Sequence, residues 1–325
     1  MANIKQIAQI AGVSITTVSR VLNNHPYVKP DKREAVLQAI RQLNYTPNQN
    51  AVQLVKGHTS MIGVVVPFVN HHYFGSMIEG IAQQALEYNY QLVLCQTQYE
   101  QEEERKVLEM LRRKQIDGVI ICSKVLEWEL IESYLPYGPI ITCENAEGRS
   151  ISSVYVDHYN GFAMGVNYLI TKGHHRIGYT IGRPESNNSH NRIRAFHDQL
   201  ATIDQVPNPD WIFNMVYTFE DGTGVLERIM QLNEKPTAIL VAGDIGAAGI
   251  ISSAKKHGVR VPEDLAVIGF DDQPISRAMD ITTIKLPTFE VGRLACETVY
   301  KQLIGECEQP HHQELPIHFI PRSTV

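Results

Sequence analysis

Apolar positions recur along this chain with two different periods. From Ile4 the spacing is helical: Ile4, Ile7, Ala8 and Ala11 share a face and run into Gly12-Val13, where a helix must stop and turn. Ser14 suits the N-cap of a second helix over 15–23, with Val18, Val21 and Leu22 inward; Asn23-Asn24 and Pro26 break it. Pro30-Asp31 opens a third helix through about Leu43, with Val36, Leu37 and Ile40 inward, and Asn44-Tyr45-Thr46-Pro47 ends it. A helix, a short glycine turn and a second helix at this spacing predict a helix-turn-helix unit. The stretch NQNAVQLVKG (48–57) predicts a short helix, marginal alone because it has a polar face and no bulky core residues.

From Met61 the period changes. Strand-like apolar runs (62–66, 91–95, 118–122, 139–143) alternate with helical segments (74–87, 102–114, 128–135). A second alternating set follows over 159–171, 176–181, 192–201, 222–232, 238–241, 245–257 and 265–270. Such a βα repeat predicts parallel sheets with helices on both faces. Two units in tandem predict two lobes, with chain crossings near 155–160 and 285–290, a helix over 289–304, and the closing HQELPIHFIPRSTV completing the lobes. The expected division is a helix-turn-helix domain over 1–47, a hinge helix and linker over 48–59, and a core over 60–325. In that core the first lobe takes about 60–157 plus about 288–320, and the second about 158–287 plus the C-terminal tail.

Charge sharpens this division. The 325 residues carry a net charge of −6, which taken alone argues against a nucleic-acid partner. Residues 1–58, however, hold Lys5, Arg20, Lys29, Lys32, Arg33, Arg41 and Lys56 against Asp31 and Glu34, a local +5, and leave −11 on the rest. A basic head on an acidic body is expected where one small domain meets a polyanion. The opening MANIKQIAQI has no apolar signal-peptide core and no stretch has membrane-spanning length, which favours the cytoplasm and no membrane partner. Five scattered cysteines (Cys95, Cys122, Cys143, Cys296, Cys307) show neither a disulfide framework nor metal-site spacing.

Enzyme chemistry finds little support. Gly63 is followed by Val-Val-Val-Pro, which cannot cradle a pyrophosphate, and there is no P-loop or Gly-x-Ser-x-Gly. The pairs His71-His72, His174-His175 and His311-His312 are adjacent, and neighbours on a regular element point apart, so no metal or cofactor is expected. The head is more informative. In a helix-turn-helix the second helix enters the major groove with its N-terminal residues, which places Ile15, Thr16 and Thr17 toward base edges, with Ile15 suited to a thymine methyl. Arg20 lies one turn on, within reach of a guanine edge or a phosphate; Ser14, Ser19 and Asn23 suit phosphates. The plainer alternative is that these residues form a solvated helix face.

The run IKQIAQIAGVSITTVSRVLNNHPYVKPDKREAVLQAIRQLNYTPNQNA resembles the head of the LacI/GalR family of bacterial transcriptional repressors. The likeness continues through IGVVVP (62–67), TKGHHRIG (171–178), VPEDLAVIGFDD (261–272), ITTIKLP (281–287) and IPRST (320–324). The resemblance implies a homodimer whose heads read a pseudo-palindromic operator, above a periplasmic-binding-protein-like core with a small effector between two lobes. It makes 48–57 a hinge helix that pairs in the minor groove. There Leu54 matches the wedge leucine and Val52 stands where an arginine is frequent; a core leucine is the other reading of Leu54.

At the effector positions the resemblance places Arg192 as the clamp on sugar hydroxyls, with Asp271 and Glu144 as cleft carboxylates. Asp244 follows Gly243, where the family usually has Asn; Asn188 and Phe219 match a polar and a stacking position. Phe68, Tyr73 and Phe74 replace much of the family's pattern after the first strand and suit the apolar face of a sugar ring. Phe74 as core and Asp271 as a capping carboxylate remain open. The expected function is a sequence-specific repressor, not an enzyme, controlled by a carbohydrate effector. A catabolite regulator with a phosphorylated carrier protein as corepressor, and a solute-binding protein, are the alternatives. With no leucine-heptad segment after 324, no tetramer built by a terminal helix is expected.

Overall fold

The computed structural model describes residues 3–45 and 57–325. The chain divides into two units, Met1–Thr59 and Ser60–Val325. The hinge helix expected over 48–57, with Val52 and Leu54, lies outside the described residues except for Gly57.

The first unit holds α1 (Ile4–Ala11), α2 (Ile15–Leu22) and α3 (Pro30–Gln42). Asn3 caps α1 reciprocally with Gln6: its side chain accepts from the Gln6 N–H, and the Gln6 side chain accepts from the Asn3 N–H. Gly12 ends α1 at φ +63°, a conformation that disfavours any residue with a Cβ. Ile7, Val18 and Val36, one from each helix, are fully buried against each other's neighbours. Leu37, expected inward, is instead exposed, and Ala39 is buried. On α3 the inward stripe runs through Val36, Ala39 and Leu43, and Leu37 stands about 100° round from Val36. Arg33 fastens the preceding loop by donating to Asn24 Oδ1 at 2.9 Å and to the His25 carbonyl at 2.6 Å.

The second unit contains two six-stranded sheets. One comprises β1 (Met61–Val66), β2 (Gln91–Gln96), β3 (Gly118–Ile121), β4 (Ile140–Thr142), β5 (Ser152–Val156) and β11 (His312–Leu315), in the order β11-β5-β4-β3-β1-β2 and wholly parallel. The other comprises β6 (Ile177–Thr180), β7 (Ile212–Phe213), β8 (Ala238–Leu240), β9 (Ala266–Asp271), β10 (Thr282–Lys285) and β12 (His318–Ile320). Its order is β12-β10-β9-β8-β6-β7, with only β12 antiparallel. The central strands are buried at every position but Met61, as strands covered on both faces must be, which is why they read as apolar runs.

Helices α4 (His72–Glu87), α5 (Gln101–Arg112), α6 (Trp128–Glu132) and α12 (Thr288–Leu303) serve the first lobe. Helices α7 (His158–Thr171), α8 (Asn187–Ala201), α9 (Phe219–Gln231), α10 (Asp244–Lys256) and α11 (Pro274–Ala278) serve the second. Helices α4 and α12 pack backbone to backbone: a Cβ on Gly80 would stand 2.0 Å from the Phe289 carbonyl, and one on Gly292 2.0 Å from that of Met77.

The chain passes between lobes after β5, after β10 and between β11 and β12. The last passage comes at Pro316-Ile317, before the expected limit of about 320, so β12 belongs to the second sheet. Pro316 has no N–H to extend the β11 ladder, and Ile317 packs beside Gly161 of α7.

Candidate nucleic-acid interface and effector cleft

In the first unit, Ile15, Thr16 and Arg20 are exposed along α2. Ser14 and Thr17 are engaged with each other: the Thr17 N–H donates to Ser14 Oγ at 3.1 Å, and the two hydroxyls lie 3.0 Å apart. Ser14 is therefore first a helix cap, and Thr17 is half-buried while Thr16 is exposed. Ser19 accepts from the Asn23 amide at 3.4 Å. The tip of the next loop presents Tyr27, 86% exposed, which the apolar pattern gave no reason to notice.

In the second unit the lining residues of one polar cleft follow the carboxyl ends of strands in both sheets. Phe68 comes after β1, Tyr99 after β2, Ser123 after β3, Arg183 after β6, Tyr217 after β7, and Asp271 ends β9. This is where open α/β sheets place ligands. The cavity encloses about 110 Å³, and since one water needs only about 10–15 Å³ on such a measure it has room for a small ring. A larger cavity of about 750 Å³ adjoins it, sharing Phe68, His71, Tyr217, Ile245 and Gln273 and adding Phe219 and Ile275. Phe68 stands between Tyr99 (5.7 Å, edge-on) and Tyr217 (6.2 Å).

Of the residues expected at the effector, Phe68, Tyr73, Phe74, Asn188, Arg192 and Asp271 line the smaller cavity together, and Phe219 lines the larger. Glu144 and Asp244 do not line either. The Glu144 carboxylate is turned to its own lobe, accepting from Ser123 Oγ at 2.9 Å and the Lys124 N–H at 3.1 Å. Asp244 is wholly buried and accepts from Thr283 Oγ1 at 2.7 Å and the Gln273 N–H at 2.6 Å, so it holds the 271–273 turn in place. Burial pushes its carboxyl up to about 7. That turn is strained, with Asp271 at φ +103° and Asp272 at φ +55°, conformations that persist only where the surroundings enforce them.

Arg192 projects from α8. Its Nη2 donates to His158 Nδ1 at 3.1 Å, its Nη1 to the Ala242 carbonyl at 3.4 Å, and its guanidinium lies 4.4 Å over the Phe270 ring. His158 accepts that bond and so must be neutral there. Burial, reinforced by the Arg192 charge, holds its imidazole well below the usual value. Asp271 Oδ2 accepts from Gln273 Nε2 at 2.9 Å. Burial raises its carboxyl strongly, with nearby Asp244 adding to the rise and Arg192 opposing it. Five buried polar atoms in this wall have no partner: His71 Nδ1, Arg183 Nε, Arg192 Nε, Asp271 Oδ1 and Gln273 Oε1. Buried polar atoms are ordinarily bonded, so such a cluster marks a place prepared for a polar ligand.

Sequence reasoning missed His71, Tyr99, His158, Arg183, Tyr217 and Gln273. His71 had been weighed only as a metal ligand; among the described residues no group of three or more His, Cys, Asp or Glu could hold a metal ion. Gln273 directly follows the GFDD motif, the one signal that could have found it. Tyr99, Arg183 and Tyr217 sit on loops without periodicity, and His158 opens α7 beside no motif.

The comparisons with known proteins agree with this geometry. Residues 3–48 match the family model for bacterial regulatory proteins of the lacI family, and residues 166–325 that for a periplasmic binding protein-like domain. The chain is 43% identical to the HTH-type transcriptional regulator YkvZ of Bacillus subtilis (strain 168) over 100% of both chains. It is 39% identical to the NTD biosynthesis operon regulator NtdR of the same organism, again over 100% of both. It also superimposes on the lac repressor dimer bound to operator and the anti-inducer ONPF, with a TM-score of 0.85 and 26% identity, covering 99% of this chain and 98% of that one. The chain belongs to the lacI family of bacterial regulatory proteins, which are DNA-binding transcriptional regulators modulated by a small ligand and not enzymes.

Proposed function

We propose that the protein is a transcriptional repressor that works as a homodimer on a pseudo-palindromic operator and is controlled by a sugar or disaccharide in the cleft. The observation that carries the ligand class is the set of five unpartnered buried polar atoms on residues that line one small cavity, walled also by Phe68, Tyr73 and Phe74. Donors (the two arginine Nε–H groups) and acceptors (Asp271 Oδ1, Gln273 Oε1) are both present, as hydroxyls require, since each both gives and takes a hydrogen bond. The aromatic walls suit the C–H face of a sugar ring, and the adjoining cavity with Phe219 and Tyr217 offers space for a second ring.

The homodimer is carried over from the lac repressor, which was solved as a dimer on its operator. Two heads on a symmetric site share one orientation requirement, which favours binding as a pair. On α2, Ile15, Thr16 and Arg20 take the base-edge and phosphate roles, with Ser14, Thr17, Ser19 and Asn23 supporting the approach to the backbone. Arg192 and Asp271 bind hydroxyls, Asn188 lies at their rim, and Phe219 stacks on the outer portion of the ligand. Glu144 and Asp244 act by holding their loops, and Leu54 wedges the central base step.

The test is a thermal-shift panel of mono- and disaccharides, with purine bases included, followed by operator binding with and without the best ligand. A sugar that raises Tm and changes operator affinity at least tenfold is the expected result. A panel led by purine bases overturns the ligand class, and no preference for any two-fold symmetric duplex overturns the repressor reading.

A further inference from the structure

Arg183 sits on the loop after β6 in the second lobe, yet its partners belong to the first. Its Nη2 donates to the Lys124 carbonyl at 2.9 Å, and its guanidinium lies 4.2 Å over the Tyr99 ring. Both partners lie on loops at the ends of first-lobe strands, and the acceptor is held firmly. Glu144 takes hydrogen bonds from Ser123 Oγ and the Lys124 N–H, and Glu104 Oε2 takes one from the Val125 N–H at 2.7 Å. Two buried carboxylates thus grip three consecutive residues, and the Lys124 carbonyl between them is presented to the opposite lobe. The third face of the arginine is unused: Nε is buried in the cavity wall without a partner.

We infer that Arg183 is the residue that couples ligand to lobe closure, its Nε–H reading an acceptor atom of the effector while its Nη2 holds the Lys124 carbonyl across the cleft. The inference deepens the carbohydrate reading and rests on it for the ligand's chemistry, a hydroxyl or ring oxygen. The guanidinium is planar and rigid, so orienting one edge on the carbonyl sets the direction of the Nε–H. A ligand that accepts from Nε gains that bond only with the lobes together, and this differential contact is what shifts a conformational equilibrium. A lysine cannot serve both partners, because its ammonium is a point donor on a flexible stem. Arg183 is a positioning and specificity residue, and Glu144 and Glu104 act through it by fixing the carbonyl.

The test uses the full chain with Arg183→Gln and Arg183→Lys. Without ligand, hydrogen exchange of the peptide covering 122–127 is expected to quicken severalfold in both variants; an unchanged rate overturns the latch. With ligand, the best sugar of the panel is compared with its monodeoxy analogues. In the parent protein one deoxy position is expected to weaken binding about tenfold or more, as for loss of a hydrogen bond to a charged group. In Arg183→Gln that single penalty disappears while the other positions keep theirs. An arginine that is only structural weakens every analogue by the same factor, and that outcome overturns the inference. If no sugar binds the parent protein, the carbohydrate reading falls, and the ligand-free exchange still decides whether Arg183 ties the lobes.

Discussion

At the scale of the residue, the cleft is organised by groups held in one protonation state. His158 accepts from Arg192 Nη2 and is fully buried, so a proton on it would set two donors face to face. Its folded pKa lies below the unfolded one, so the unfolded chain binds the extra proton first as pH falls. The neutral His158 therefore stabilises the fold above the ordinary histidine value, about 6.5, and that contribution is lost as pH drops below it. Replacing it with Gln, which keeps an acceptor but does not titrate, is expected to narrow the stability difference from the parent protein between pH 7 and pH 5. The slope of that difference should be at most about 1.4 kcal/mol per pH unit. Parallel denaturation midpoints across that range would contradict the assignment. Arg192 and Asp271 were named from the family resemblance and Tyr73 and Phe74 from the aromatic run after the first strand, and all four line the same cavity. His158 was not legible in the sequence: it opens α7, distant in sequence from Arg192, and nothing before the fold is known says they meet.

At the scale of the element, the sequence marks where helices begin and end better than what they touch. Ser14 was read both as a cap and as a phosphate contact, and the two roles separate experimentally. Ser14→Ala is expected to destabilise the head by about 1 kcal/mol through loss of the cap, seen as a lower midpoint for its unfolding. Ser14→Asp keeps the cap and its stability but sets a negative charge where a phosphate approaches, so operator affinity alone should fall. Equal operator affinity for Ser14→Asp and the parent removes the phosphate role.

The α4–α12 contact was not legible, because Gly80 and Gly292 lie far apart in the chain and each reads as a weak point of a helix. Their use appears only where the two backbones meet, with the Phe289 carbonyl 2.0 Å from a Cβ built on Gly80. Gly80→Ala is expected to lower stability by about 1–3 kcal/mol, the ordinary penalty of overpacking, as a fall in Tm without change in helix content. A neutral or stabilising effect would show that the helices can separate freely.

For the whole molecule, charge is distributed by task. The first 58 residues carry +5 and the remainder −11, so attraction to a polyanion is concentrated in the head, and the net charge of the body opposes it. Operator binding is accordingly expected to weaken by tenfold or more between 50 and 200 mM salt (both concentrations about as used for such titrations), with a linear dependence of log affinity on log salt. A flat dependence would mean that the basic head is not the phosphate-binding surface. The effector should bind with little salt dependence, since its cavity is buried. As a DNA-binding regulator of this family the protein acts in the cytoplasm, and among the described residues no helix is long and apolar enough to cross a membrane.

Periodicity and capping residues determined the three short helices, the βα alternation and the two lobes, because each depends on neighbours within a few positions of the chain, and the charge count set a basic head apart. Which polar groups reach the cleft was decided by tertiary structure. Glu144 and Arg192 look equally available in sequence, yet the first is consumed by Ser123 and Lys124 while the second, a cavity-lining residue, keeps a buried Nε without a partner. A side chain's role depends on which hydrogen-bond partners the fold brings within about 3 Å. Arg183 finds its partner 59 residues away, on the other lobe.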